Sequence, residues 1–450
     1  MSRYERQEKS KKKHPIVSSS TPRNPSGAPK TTQPSQRPGW RGPGFSKKSK
    51  SSASGPAGAT AAGANSSKDE AEQQQPPAQR LTREQQQQLL GIFRTTFPAS
   101  ADPEGLKPTL QSIKSALHAR DFARAFGSRA FLEAYALRWS PSRALCYAEA
   151  LARLADDFPD DPVFSALRAA GAKPQEPEPE PAAGGVVCLG GGAAEVVAVA
   201  GLLRYLDATP VSAPGALAGA EHLVDPSVAS SFEGRASAPR LHLHLVDSAP
   251  WDGVVTQLSA ALTAPAPLSK YASAAARAAN APLLPPGSVA LTFTPRDLLD
   301  TSRDDLAALV ARGHADDSGD GSAPPTLITL LFTLNELYAA SLSRTTLLLL
   351  HLTAVTAPGT LLLVIDSPGS YSEAPLGSGP EGSRKRYPMQ WLLDHALLEQ
   401  QQHVEAGKEQ PSAWKKLVGD ESRWFRLPEG LKYPLSLENM RFQMHLFRRV

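Results

Sequence analysis

Hydrophobic and polar positions along the chain fall into three successive rhythms. Residues 1–80 have none: Ser, Pro, Gly, Gln, Lys and Ala dominate and aliphatic residues are almost absent. Such a segment cannot bury enough apolar surface to offset the entropy of ordering, so a disordered tail is expected. From Thr82 the rhythm is helical. Thr82 with Gln85 three residues on makes a capping box, and Leu89, Leu90, Ile92, Phe93 and Phe97 follow. Leu110, Ile113, Lys114 and Leu117 repeat at helical spacing, and further helices are predicted over 123–137 and 142–157. Residues 82–170 thus read as an all-α subdomain of about four helices. The Pro/Glu run KPQEPEPEPAA, inside a linker over 171–185, ends it.

The third rhythm alternates strand with helix. Strands are predicted over 186–189, 241–246, 288–294, 326–334 and 360–366, with a last alternating strand over 440–449. Helices are predicted over 193–206, 304–311, from the fourth strand through about 355, and 388–401. This alternation predicts an α/β domain over 186–450 whose mostly parallel sheet is covered on both faces. Three stretches rich in Ala, Pro, Gly, Ser or Asp, at 207–240, 263–287 and 312–325, are expected to be surface loops. The most apolar stretch, 347–365, is interrupted by His351, Pro358 and Gly359 and reads as helix, turn and strand rather than a membrane span. No membrane association is expected, and the polar opening MSRYERQEKSKKKH predicts no signal peptide.

Composition adds two things. Two cysteines, Cys146 and Cys188, cannot make a disulfide framework or a zinc site between them, so an intracellular, metal-free protein is expected. The net charge of +4 is uneven: residues 1–80 hold 15 Lys or Arg against 5 Asp or Glu, a balance of +10, which leaves −6 for the rest. A basic tail suits a polyanion such as RNA, and equally keeps a disordered tail soluble. The run Lys11-Lys12-Lys13 is a candidate nuclear-import signal.

The first predicted strand runs straight into Gly190-Gly191-Gly192 and then Glu195 at a helix start. A side-chain-free turn lets a ligand approach the backbone, and the helix N-terminus offers free N–H groups. The dinucleotide fingerprint would place a third glycine where Glu195 stands. A carboxylate there repels a pyrophosphate but suits a cation, which leans the ligand toward S-adenosyl-L-methionine (SAM) over NAD; Glu195 could equally cap the helix. Asp247, ending the second strand, is placed to hold a ribose diol. Asp297, beside Leu298 after the third strand, is placed to read an adenine amino group or to cap the following helix. Asn335 and Glu336, after the fourth strand, are candidates for binding the acceptor.

Taken together, these segments resemble the fungal 25S ribosomal RNA uridine-N3 methyltransferases over roughly residues 82–450. The resemblance rests on RWSPSRA at 138–144, the LGGGAAE turn, LVDSAPW at 245–251, TFTPRDLL at 292–299, TLNELY at 333–338 and RFQMHLF at 441–447. It implies a class I (Rossmann-like) fold of seven strands with a helical N-terminal extension. It also implies methylation of a uridine in large-subunit rRNA, with that rRNA or a pre-ribosomal particle as partner. The basic tail allows nucleus or nucleolus and leaves cytoplasm open, and of the open oligomeric states a monomer is favoured. Uridine N3 carries a proton that must leave; Glu336 is the candidate acceptor of it and Asn335 the candidate that orients the base. Arg138, Trp139 and Arg143, and separately Arg384, Lys385 and Arg386, are candidate RNA contacts. Three rivals remain open on the residues alone: a methyltransferase of another substrate, a non-catalytic assembly factor with the same fold, and a nicotinamide oxidoreductase.

Overall fold

The computed structural model describes residues 79–169, 183–209, 239–278, 280–313, 326–369, 371–375, 384–399 and 412–450. The expectations for the tail, for most of the Pro/Glu linker and for most of the loops at 207–240 and 312–325 lie outside these residues.

The capping box forms as read. The Gln85 N–H donates to Thr82 Oγ1 at 3.2 Å, and the Thr82 N–H donates to Gln85 Oε1 at 2.8 Å. These bonds start α1 (Arg83–Thr96), whose Leu89, Leu90, Ile92 and Phe93 are buried. Thr82→Ala should lower stability by about 1 kcal/mol, read as a lower thermal midpoint. Next, α2 (Pro103–His118) begins well before the predicted apolar repeat, because Asp102 caps it through the Gly105 N–H and Pro103 suits its first turn. The single helix expected over 123–137 is two, α3 (Phe122–Phe126) and α4 (Arg129–Arg138), parted at Gly127-Ser128; Ser128 caps α4 by accepting from the Phe131 N–H. Then come α5 (Ser140–Asp157) and α6 (Pro162–Ala169).

The α/β part contains β1 (Gly184–Leu189), α7 (Ala193–Ala208), β2 (Leu241–Asp247), α8 (Asp252–Thr263), α9 (Ala274–Ala278), β3 (Val289–Pro295), α10 (Arg303–Ala311) and β4 (Thr326–Leu331). It continues through α11 (Leu334–Ala340), α12 (Leu342–Val355), β5 (Leu361–Asp366), β6 (Tyr371–Pro375), β7 (Arg384–Pro388), α13 (Met389–Asp394), β8 (Trp414–Phe425) and β9 (Met440–Arg449). The main sheet has seven strands in the order β3-β2-β1-β4-β5-β9-β8. Strands β1 to β5 pair in parallel, and β9 pairs antiparallel with both β5 and β8. A separate antiparallel pair, β6–β7, follows β5.

Strand side chains alternate between two cores, as a pleated sheet buried on both faces requires. Val186 and Cys188 face one with Leu361, Leu363 and Ile365; Val187 and Leu189 face the other with Leu362 and Val364. The helical region belongs to the first of these cores. Helix α5 packs on α7 so closely that a Cβ on Gly201 would lie 2.9 Å from the Ala148 Cβ. That closeness explains why α5 is buried nearly all round and rich in alanine. One long helix expected after β4 is broken at Ser341, which caps α12 through the Arg344 N–H. Helix α8 and strand β8 were not anticipated. The helix expected over 388–401 is α13 continuing into a wider, π-type turn at His395–Glu399.

Candidate active site

All five parallel strands end at one edge of the sheet, and the candidate residues gather there. The β1 tip turns at Gly190, whose φ is +78°, a conformation L side chains rarely adopt. A Cβ on Gly190 would lie 2.4 Å from the Thr333 side chain at the β4 tip. The Gly190 and Gly191 N–H groups donate to the Val246 carbonyl at 2.7 and 3.3 Å, which fixes the turn to β2. Gly192 lies under Trp251, with space for a Cβ only 3.0 Å from the ring. The buried Glu195 carboxylate reaches back to accept the Gly192 N–H at 2.8 Å, so it caps its own helix and stiffens the loop. Burial raises the Glu195 pKa, while the hydrogen bonds from the Gly192 and Glu195 N–H groups and the charge of Arg143 pull it back.

Asp247 ends β2 and accepts the Ala249 N–H at 2.7 Å. Burial, then the nearby Glu195 and Asp297 carboxylates, push its pKa up to about 7 against that one hydrogen bond. Asp297 stands beside it after β3; it is exposed and caps the 3-10 turn Leu298–Asp300 by accepting the Leu299 N–H at 2.9 Å. The Leu298 side chain is buried in the second core rather than turned to solvent.

The β4 tip is tightly held. Phe332 adopts φ +55°, costly for a bulky residue, and its N–H donates to the Ile365 carbonyl at 2.7 Å. Strand β4 stops there, three residues before the predicted end. Asp366 at the β5 tip then organises the start of α11. It accepts the Asn335 N–H at 3.0 Å, the Asn335 Nδ2 at 2.6 Å and the Ser367 N–H at 2.7 Å. Burial raises the Asp366 pKa to about 6 despite these three donors. Asp366 was not singled out from the sequence, although a carboxylate closing so apolar a strand is a signal of the same kind as Asp247. Glu336 is exposed and pairs with Arg120, which lies in the turn after α2.

The expected RNA contacts have other partners. Arg138 pairs with Glu438 and donates to the Ser436 carbonyl at 3.1 Å, while Trp139 packs against Tyr135 at 5.1 Å between ring centres. With the Glu438 N–H on Ser142 and the Tyr433 hydroxyl on the Leu137 carbonyl, this segment latches the helices to the β8–β9 connection. Arg143 turns inward. Its guanidinium donates to the Tyr135 hydroxyl and lies 5.4 Å from the Phe332 ring centre. Burial works against the Arg143 charge, but Tyr135, Tyr147, Glu195 and Asp366 more than offset it and raise its pKa. Beside it the buried Tyr147 hydroxyl has no hydrogen-bond partner among the described residues. For Arg384, Lys385 and Arg386 only the backbone is described, paired in β7 with β6; their side chains lie outside the described residues.

A parallel sheet in the order 3-2-1-4-5 extended by an antiparallel strand, with a glycine turn after β1 and a carboxylate after β2, defines a class I methyltransferase. The chain belongs to the family described as "Putative SAM-dependent methyltransferase", whose model matches residues 93–448, and its cofactor is SAM. The chain is 30% identical over 373 residues to the 25S rRNA (uridine(2843)-N(3))-methyltransferase of Saccharomyces cerevisiae, covering 80% of this chain and 85% of that protein. The resemblance drawn from the motifs is borne out by that match. Among solved structures, an O-methyltransferase family protein from Burkholderia thailandensis is 12% identical with a TM-score of 0.25; the match covers 70% of this chain and 62% of that one, less than two thirds of its length. Human N-acetylserotonin methyltransferase in complex with SAM is 12% identical with a TM-score of 0.20, covering 76% of this chain and 66% of that one. Among the described residues, no group of three or more His, Cys, Asp or Glu could hold a metal ion, and no helix is long and apolar enough to cross a membrane.

Proposed function

We propose that this chain methylates N3 of a uridine in large-subunit ribosomal RNA. The yeast relative supports the substrate, and one structural observation carries the cofactor half: the Gly190 turn, Asp247 and the inward-facing Arg143 share one edge of the sheet. These residues fit a ligand with a diol, an adenine and a zwitterionic amino acid. Asp247 would offer two acceptor oxygens to the ribose, and Asp297, with the backbone rather than the core-buried side chain of Leu298, would flank the base. The Gly190–Gly192 backbone would admit the methionyl part, and Arg143, with the Tyr147 hydroxyl that has no partner among the described residues, would answer its carboxylate. When bound, SAM supplies an electrophilic methyl group.

The acceptor half belongs to the start of α11. Asp366 fixes Asn335 through both backbone and side chain, so Asn335 is positioned to orient the base. Glu336, held by Arg120, would take the N3 proton as N3 is methylated. We further propose that this happens in the nucleus or nucleolus, where the basic tail would assist import and RNA association.

Three measurements test the reading. Titration with S-adenosylhomocysteine should release or absorb heat; silence would end the enzyme assignment. Nucleoside analysis of rRNA from a deletion strain should show N3-methyluridine reduced, and an unchanged level would remove the RNA assignment. Glu336→Gln should slow methylation about 100-fold with S-adenosylhomocysteine affinity retained, and a wild-type rate would reject Glu336 as proton acceptor.

A further inference from the structure

The same sheet edge extends past β5 to features that the cofactor site does not use. Because β9 runs antiparallel to β5, its first residues lie at that edge, and so do the last residues of β8. Between them and α13 opens a groove of about 550 Å³, lined among others by Pro368, Gly369, Trp391, Glu421, Arg441 and Gln443. One exposed tryptophan, Trp391, lines the groove, and a second, Trp424, stands beside it next to the lining residue Arg441. Trp391 is 45% exposed and sits in a stack, 4.8 Å from the Tyr387 ring at 22° and 5.1 Å from the His395 ring at 6°. Trp424 is 52% exposed, with the Arg426 and Arg441 guanidinium groups 5.4 and 5.8 Å from its ring centre. Large aromatic rings left open to water and interleaved with arginine form a surface for unpaired bases and the phosphates between them.

The floor of the groove leads toward the acceptor residues. Gln443 is buried, and its side-chain amide donates to the Ser367 carbonyl at 2.7 Å. Ser367 donates to Asp366, and Asp366 holds Asn335. A strand lying in the groove therefore passes beside the place where the target base would be presented. The carboxylates along it fit this use. Asp394 is neutralised by Lys416 Nζ, 2.8 Å from both of its oxygens. The exposed Glu421 disfavours a phosphate in the middle of the groove and leaves that contact to Arg441, which lines it, and to Arg426 across the neighbouring Trp424 ring.

We propose that this groove binds the single-stranded RNA flanking the target nucleotide, with bases stacked on Trp391 and Trp424 and phosphates on Arg426 and Arg441. The inference rests on the RNA-methylation reading above and adds to it where the substrate lies. Its test uses the full-length chain, a fluorescently labelled oligouridine as probe, anisotropy at moderate salt to limit the contribution of the basic tail, and calorimetry with S-adenosylhomocysteine in parallel. Trp391→Ala and Trp424→Ala should each weaken RNA binding by roughly tenfold, and the double variant by roughly 100-fold. Both rings are exposed, so thermal midpoints and S-adenosylhomocysteine affinity should stay at wild-type values. Trp391→Phe and Trp424→Phe should recover most of the loss, because a stacking face is restored. A double alanine variant that binds RNA as wild type does would overturn the groove while leaving the methyltransferase intact, and would assign the rings to a protein partner instead. A wild-type chain that binds S-adenosylhomocysteine but neither binds nor methylates RNA would overturn both the groove and the RNA substrate.

Discussion

Gly190→Ala is expected to abolish measurable S-adenosylhomocysteine binding and to lower stability by about 3 kcal/mol while the fold persists. Two costs add. The backbone at φ +78° is strained for any residue with a Cβ, by about 1–2 kcal/mol. The new methyl would also stand 2.4 Å from both Thr333 Cγ2 and Oγ1. Threonine is short and β-branched, so it cannot swing its end away as a lysine could. Relief requires the Gly190 turn or the β4 tip to move, and the β4 tip is tied to β5 through the Phe332 N–H and to Asp366 through Asn335. A shift of the turn displaces the backbone that faces the ligand. Thr333→Ala should partly rescue the stability of Gly190→Ala by removing two of the three clashing atoms, but should not restore binding, because the strain at φ +78° remains. Calorimetry and melting curves on the two single variants and the double one measure both parts. A Gly190→Ala protein that binds the ligand with wild-type affinity would exclude this turn from the cofactor site.

The sheet was readable because its order of apolar runs is unusually plain. Strands β1, β4 and β5 are buried on both faces, so each shows as a short, mostly aliphatic run; β1 ends at a glycine turn and β5 at Asp366, whereas the apolar run of β4 continues past its end at Leu331. Strand β8 gave no such signal. It is an outer strand with lysines, glutamate and arginine, and two register shifts break its alternation, so neither rhythm is visible in WKKLVGDESRWF. The proposed cofactor side was legible for a related reason: the glycine turn, Asp247 and Asp297 follow strand ends directly. The acceptor side depended on tertiary pairing. Nothing near TLNELY in sequence announces that Asn335 will be bound by Asp366, thirty-one residues away, or Glu336 by Arg120, which precedes it by more than two hundred. The RWSPSRA segment shows the converse. Its arginines and tryptophan look like RNA contacts as a string, yet Arg138 latches onto Glu438 and Arg143 faces the sheet edge. The groove beside Trp391 and Trp424 combines α13, β8 and β9, and only the antiparallel return of β9 brings them together.

Asp247→Asn should weaken S-adenosylhomocysteine binding by about 100-fold at neutral pH and yet make the free protein more stable. The amide keeps one carbonyl oxygen for the Ala249 N–H, so the turn after β2 should survive. What it loses is the charge that would accept two ribose hydroxyls. The stability gain follows from proton linkage. Burial raises the Asp247 pKa from 3.8 to about 7. Between those values the folded state holds a proton that the unfolded chain has released, so this group's contribution to stability falls as pH rises from about 4 to about 7 and stays low above it. The amide carries no such penalty; at pH 8 the variant should exceed wild type by ~1 kcal/mol or more, a margin that shrinks toward zero near pH 4. Ligand binding runs the opposite way. Hydroxyl donors favour the ionised carboxylate, so binding should expel a proton from wild type, and affinity should climb as pH rises through about 7. The asparagine variant should show a flat profile. Calorimetry across this range in buffers of differing ionisation enthalpy counts the proton directly, and a wild-type affinity independent of pH, matched by the variant, would remove Asp247 from the ribose site.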